Sequence, residues 1–407
     1  MTESRIDPGL AALAVAVAQG IGGPVAAASR PVDLGPDGVL GDWGEAARLL
    51  ARHRVQGLAS PALLKAAGHA MPAHLKGNLI RATMLAIQAQ RKQMDLLLQV
   101  LTALQARGIR AMALKGTMLG HRYMVRPELR LSNDLDVLVD PARIDEAEAV
   151  IAGLNYRRFL PPADWRPAWV AHYRKWRKDS GFLAREGGTM IECHWRIFDN
   201  WKLLPFDFDS LWQGRHIEQV DGVEIPMIGN LLQLVYLAAH GSYHAWFRLK
   251  WVADFAAVFC ATSPEDRRVA AALAREMGVG PVFDHALSLA HRLFAIPLTP
   301  EETDRVAHAP RRAALDTFAL EALHHHDASA VGLAKDRRFA LRMVLHSYRL
   351  RREPGFLVTQ IALDLNFPGG LETSRLGDRW LWLYPAIRGW RSARHHITHR
   401  LGWHSAT

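Results

Sequence analysis

From about Asp42 to Arg107 apolar residues recur at three- and four-residue spacings, the period of amphipathic helices, and the run NLIRATMLAIQAQRKQMDLLLQVLTALQARG stops at Gly108. Beyond Gly108 the pattern changes. IRAMALKG predicts a short strand running into a glycine turn, TMLGHRYM a brief helix, and NDLDVLVD a strand closed by Pro141. RIDEAEAVIAGLNY predicts an amphipathic helix that stops near Gly153. SGFLAREGGTMIECHWRIF predicts two further strands in a hairpin turning at Glu186-Gly187-Gly188. From Leu231 the helical period returns in LLQLVYLAAHGSYHAWFRLKWVADFAAVF and continues in segments near 265–276, 281–295, 301–325 and 334–350. The chain shows no internal repeat and no low-complexity run. The order predicts an α+β protein: a helical region over 1–107, a small mixed-sheet core over 108–228, a helical domain over 229–350 and a helical tail over 351–407.

Composition narrows the class. The 407 residues suit two or three domains, and a hydrophobic content of 49% suits ordinary globular cores. No stretch approaches the ~20 uncharged apolar residues that span a bilayer. GLAALAVAVAQGIGGPVAAA (Gly9 to Ala28) has the look of a signal-peptide core, but Glu3 and Asp7 offset Arg5 ahead of it. A buried helix followed by a Gly/Pro break is the preferred reading. Only Cys193 and Cys260 are present, which excludes a disulfide framework and an all-cysteine zinc site and fits a reducing, cytoplasmic setting. The net charge of +10 suits an anionic partner (nucleotide, nucleic acid or acidic lipid) without choosing among them.

The candidate chemistry begins at RLSNDLDVLVD. Residues two apart on a strand face the same side, so Asp134 and Asp136 project together while Leu135 and Val137 turn into a core. Burying a carboxylate is costly unless something pairs with it. The pair is either a solvated turn before a strand or a hard oxygen site for a cation such as Mg²⁺. In MIECHWRIF the same alternation puts Glu192 and His194 on one face. A third carboxylate beside the first two is what a two-metal phosphoryl-transfer site requires. Upstream, LKGT ends a strand and opens a helix, where Gly116 allows close approach to a phosphate and Lys115 adds a charge.

This order resembles the DNA polymerase beta-type nucleotidyltransferase superfamily, and more closely a bacterial family of uncharacterised nucleotidyltransferases. The resemblance rests on LKGTMLGHRYMVRPELRLSNDLDVLV, IECHW and YLAAHGSYHAWFRLKWVADFAAV, and covers about residues 80–260. It implies that Gly116 and Thr117 form the phosphate-binding turn, that Asp134 and Asp136 are the metal pair, and that Glu192 is the third carboxylate. Thr117 stands where Ser is usual and Glu192 where Asp is usual, and the interval carrying Arg126 and Arg130 is long. The implied reaction is Mg²⁺-dependent (Mn²⁺ as an alternative) transfer of a nucleoside monophosphate, ATP being the default donor. The acceptor hydroxyl belongs to a sugar, peptide, protein or RNA, and pyrophosphate leaves. A γ-phosphate transferase using the same cleft, and a non-catalytic nucleotide- or partner-binding scaffold, are the alternatives.

The remaining site residues follow from position. At ~100° per residue a single helix would place His240, His244, Trp251 and Asp254 on one stripe with Lys250 at its edge. Either the stripe packs on the sheet unit, with Asp254 bonding Lys250 or a histidine, or, as the resemblance implies, it walls a nucleotide cleft. In the second case Arg248 or Lys250 meets the triphosphate, and His240 and His244 line the base or acceptor side. The His-x₃-His spacing suits a metal, but zinc needs more soft ligands than are found. His194 joins the nucleotide contacts beside Glu192. Arg130 and Ser132 flank the acid pair, Arg130 suited to a bidentate grip on phosphate and Ser132 equally suited to capping the turn. The tail DRWLWLYPAIRGWRSARHHITHRLGWH is read as an outer helical layer with Arg stems over Trp rings, rather than a nucleic-acid or membrane surface.

Overall fold

The computed structural model describes residues 6–29, 43–67, 71–309, 312–325, 336–374 and 376–391. The tail beyond residue 391, positions 334–335 and the flank containing Glu3 and Arg5 lie outside the described residues.

Strands β1 (Ala111–Ala113), β2 (Asp134–Val139), β3 (Tyr156–Leu160), β4 (Asp179–Ala184), β5 (Met190–His194), β6 (His216–Val220) and β7 (Val223–Met227) form one sheet. Their order is β3-β4-β5-β2-β1-β7-β6. The sheet is mixed: β2 runs antiparallel to β1 and parallel to β5, and β4 runs antiparallel to β5. Helices surround it, so the protein is α+β. Alternation along β2 sorts its side chains as expected. Leu135, Val137 and Val139 enter a core with Leu97, Val100, Leu101 and Leu104 of the long Ala73–Gln105 helix and Ile151 of the Ile144–Gly153 helix. Each such buried aliphatic side chain contributes about 1.5–3 kcal/mol relative to exposure. Leu138 and Met112 face the opposite way, into the core of the helical layer.

Three strands were not expected. The β6–β7 hairpin turns at Asp221 and Gly222, both left-handed (φ 50° and 78°), the Asp-Gly signature of a two-residue hairpin. Strand β3 extends the sheet beyond β4 after a left-handed Asn155 (φ 67°).

The apolar N-terminal run forms the helix Pro8–Ile21, in which Ala14, Ala16, Val17 and Ala18 are wholly buried and which ends at Gly22 (φ 77°). Gly20 lets it lie directly on Leu58, since a Cβ there would sit 1.9 Å from the Leu58 carbonyl oxygen. This helix shares one hydrophobic core with residues from Ile197 to Phe356.

The single helix through 231–259 is corrected to two, Asn230–Tyr243 and Leu249–Ala261. Between them Ala245 and Trp246 are left-handed (φ 48° and 52°), and the Trp246 N–H donates to the Gly241 carbonyl at 2.8 Å. Left-handed bulky residues are strained. Here full burial of the Trp246 indole, packed against Phe255 and donating to Ser242 Oγ at 3.1 Å, outweighs the strain.

One ion pair joins the sheet unit to the second of these helices. Arg130 Nε and Nη2 each donate to Asp254 at 2.7 Å, with the two side chains 2% and 3% exposed. Removing one partner from a buried pair leaves an uncompensated charge. Asp254→Ala is therefore expected to lower stability by about 3–5 kcal/mol in urea unfolding. The double change Arg130→Met with Asp254→Leu is expected to recover most of that loss.

Candidate active site

The helical layer and one face of the sheet enclose a cleft of about 600 Å³. The sheet wall carries Lys115, Gly116, Asp134, Asp136, Lys178, Glu192 and His194; the helical wall carries Tyr236, His240, Tyr243, His244, Phe247 and Trp251. Parallel pairing of β2 with β5 sets Asp136 opposite Glu192, so the two acids sit side by side on neighbouring strands. Asp136, Glu192 and His194 each offer a ligand atom within 4.8 Å of the others. Of the expected metal set Asp134, Asp136 and Glu192, the last two lie in this compact group with His194, and Asp134 lies outside it, two residues before Asp136 on β2.

Asp136 is 1% exposed, and its charge is answered on both sides. Lys115 Nζ lies 2.5 Å and His194 Nε2 3.1 Å from its Oδ1. Burial pushes this carboxyl up, but Lys115 and His194 outweigh it and hold it well below its ordinary range. Asp136 Oδ2 is buried and has no hydrogen-bond partner. Burial and the Lys178 charge push the His194 imidazole down, yet bonds to Asp136 and Glu192 leave it raised overall. For Asp134, burial and the Asp136 charge raise its carboxyl, and Lys115, Lys250 and Arg54 bring it below its usual value. The Ser132 hydroxyl donates to the Asp134 backbone oxygen at 3.1 Å, the capping role rather than a contact to phosphate.

Two expected phosphate contacts are corrected. The Thr117 hydroxyl lies 3.2 Å from Gln90 Oε1 and 3.1 Å from Gln93 Oε1, inside the packing of the Ala73–Gln105 helix and not in the cleft wall. Gln93 also donates to the Ser132 carbonyl at 2.9 Å, so Thr117 helps clamp the turn from behind. Gly116 does line the cleft, at a left-handed φ of 75° that favours glycine. Arg130 spends Nε and Nη2 on Asp254, so that fork of the guanidinium is closed to phosphate. Asp254 accordingly bonds neither Lys250 nor a histidine.

His240, His244 and Trp251 meet across the helix break, with ring centroids 4.8–5.5 Å apart. Burial and neighbouring positive charges keep the His244 imidazole neutral, down at about 3, and His240 is likewise lowered. Neutral rings at this spacing make an aromatic wall, not a cation. Arg248 lines the same cleft, and Lys250 donates to the Leu131 carbonyl at 3.3 Å.

Lys178, Asp179 and Arg54 were not anticipated. Lys178 pairs with Asp179 and stands 3.7 Å from Glu192 Oε2. Both precede the predicted hairpin directly, and Asp179 opposes His194 in the β4–β5 register, so the charged pair at the head of the strand was a usable signal. Arg54 arrives from the N-terminal helices, and no local pattern marks it.

A family model described as uncharacterised nucleotidyltransferase matches residues 40–295, more than half of the chain. The chain belongs to this family. Comparison with curated proteins and with solved structures gives no match. The matched segment of this nucleotidyltransferase family contains every cleft residue named above, Arg54 included. No described helix is long and apolar enough to cross a membrane.

Burial and the Arg130 charge push the Lys250 ammonium from its ordinary 10.5 down to about 7. The folded protein releases this proton near pH 7 and the unfolded chain near pH 10.5, so stability rises with pH between those values. Lys250→Met removes the penalty. It is expected to raise the unfolding free energy measured in urea at pH 6, by an amount on the order of a few kcal/mol, and to leave it nearly unchanged near pH 10.

Proposed function

We propose that the chain transfers a nucleoside monophosphate, AMP from ATP in the first instance, to an acceptor hydroxyl and releases pyrophosphate. The observation that carries this reading is the cross-strand pairing of Asp136 with Glu192, with Asp134 two residues before, in a cleft between sheet and helices. A polymerase beta-type core over residues 108–228 and a cytoplasmic setting belong to the same proposal. The first is supported by the order of turn, helix, acid pair and third acid; the second by two free cysteines, Cys193 and Cys260.

The donor set fits a divalent metal. Asp136 Oδ2 is an acceptor buried without a partner, and Asp136, Glu192 and His194 each offer a ligand atom within 4.8 Å of the others. Two carboxylates and an imidazole suit Mn²⁺ as well as Mg²⁺, which favours oxygen. Such an ion, when bound, supplies charge neutralisation at the reacting phosphoryl oxygens.

The protein's own side chains do the rest by positioning. Lys115 keeps Asp136 ionised and oriented through its bond to Oδ1. Gly116 brings the backbone of the turn to the mouth of the cleft beside Asp134. Arg248 and Lys250 supply positive charge on that side. His240, His244 and Trp251 present ring faces suited to stacking on a base, and the lowered histidines stay uncharged there. Glu192 is the carboxylate placed to receive the acceptor proton. In-line displacement of this kind needs alignment and charge compensation more than covalent help.

The test is pyrophosphate release from each of the four nucleoside triphosphates with Mg²⁺ and with Mn²⁺. Asp136→Asn and Glu192→Gln are each expected to cut the rate by about 10²–10³-fold with melting temperatures still cooperative. Release of ADP without pyrophosphate would move the reading to γ-phosphoryl transfer. No product and no metal-dependent stabilisation by any nucleotide would leave a binding scaffold.

A further inference from the structure

Of the cations lining the cleft, Lys115, Arg130, Arg177 and Lys178 each have a carboxylate partner. Arg54, Arg248 and Lys250 have none among the described residues, although all three line the same cleft. They come from three separate places: the end of the Trp43–His53 helix, the residue preceding the Leu249–Ala261 helix, and that helix itself. The backbone forces them together. His53 Nδ1 accepts from the Leu249 N–H at 3.1 Å, and Arg52 donates to the carbonyls of Phe247 and Ala322. Like charges are thus fixed in proximity by bonds that neutralise none of them.

Arg54 carries a second mark. It is left-handed, at φ 55°, in the position that closes the Trp43–His53 helix: its N–H donates to Ala51 at 3.2 Å and the Val55 N–H to Leu50 at 3.1 Å. This is the helix-ending geometry in which glycine is the usual residue. The chain keeps an arginine where glycine would relieve strain, which points to work done by the guanidinium.

We infer that Arg54, Arg248 and Lys250 form the pocket that receives the polyphosphate tail of the donor nucleotide. Two guanidinium forks and an ammonium match an anion with several oxygens and more than one charge. Burial and the neighbouring arginines push Arg248 down to about 10 and Lys250 to about 7, as expected where buried positive charges crowd together. Asp134 lines the same cleft and opposes that trend at all three, so the tail would lie beside the acid pair. The assignment rests on the nucleotidyl-transfer reading for naming the donor; the anion pocket itself is tested without turnover.

The experiment is calorimetric titration of the full chain with inorganic tripolyphosphate in EDTA. Binding is expected in the wild type, weakened about tenfold or more in both Arg54→Gly and Arg248→Gln. Arg54→Gly is expected to melt no lower than wild type, so lost binding cannot be assigned to misfolding. No binding by wild type, or equal binding by both variants, would overturn the pocket. Tripolyphosphate is expected to compete with ATP; simultaneous binding would transfer the pocket to a phosphate-bearing acceptor and overturn the donor assignment. Asp136→Asn is expected to keep tripolyphosphate binding. Anion binding intact in a wild type that turns over no nucleotide would count against nucleotidyl transfer alone.

Discussion

A carboxylate buried at the head of a strand has to be neutralised, and the arrangement of the cleft follows from how Asp136 meets that requirement. Its position on β2 is set by the alternation that sends Leu135 and Val137 into the core beneath. Its neighbours are set by pairing: β5 brings Glu192 and His194 alongside, and the turn after β1 brings Lys115. One oxygen of the carboxylate is consumed by this internal network and the other is not. Hydrophobic patterning, strand register and the turn that carries Lys115 together produce an ionised group with one buried acceptor oxygen left without a hydrogen-bond partner.

The helical layer supplies the opposite wall, and the buried Arg130–Asp254 pair fixes its distance from the sheet. A charge pair that is nearly excluded from water tolerates little movement, because separation exposes each partner to a medium that solvates it poorly. The break at Ala245 and Trp246 serves the same wall differently. It turns the chain so that His240, His244 at the end of that helix and Trp251 from the next meet ring against ring, a grouping that a continuous helix would have reached along a single stripe.

How much of this was legible depended on range. The strand β2, the β4–β5 hairpin and the glycine turn were readable because their signals are local: alternation, a Gly-Gly turn, and a helix opening after Gly116. Asp136 and Glu192 were readable as partners only through resemblance, since the register that joins them is a tertiary fact. The β6–β7 hairpin had a legible Asp-Gly turn and was overlooked. Thr117 and Arg130 were misassigned because residue type suggests a phosphate contact, whereas Gln90, Gln93 and Asp254, all distant in sequence, decide where those side chains go. The helix break escaped because periodicity continued across it; burial of one tryptophan overrode the local pattern. Arg54 had no signal at all, because its place in the cleft exists only once residues 53 and 249 are bonded.

That bond has a consequence for how the protein is made. Helix Pro8–Ile21 lies first on the neighbouring Gln56–Ala67 helix and completes its burial in a core shared with segments that follow the sheet, and His53 meets Leu249 196 residues later in the chain. At ribosomal rates of roughly 5–20 residues per second, the first helices wait about 10–40 s for the surface that completes their cover. During that interval one of the most apolar stretches of the chain is covered only in part, and the cleft has only one wall. Synthesis itself thus acts as a timer: no nascent chain shorter than about the Leu249–Ala261 helix carries a complete site.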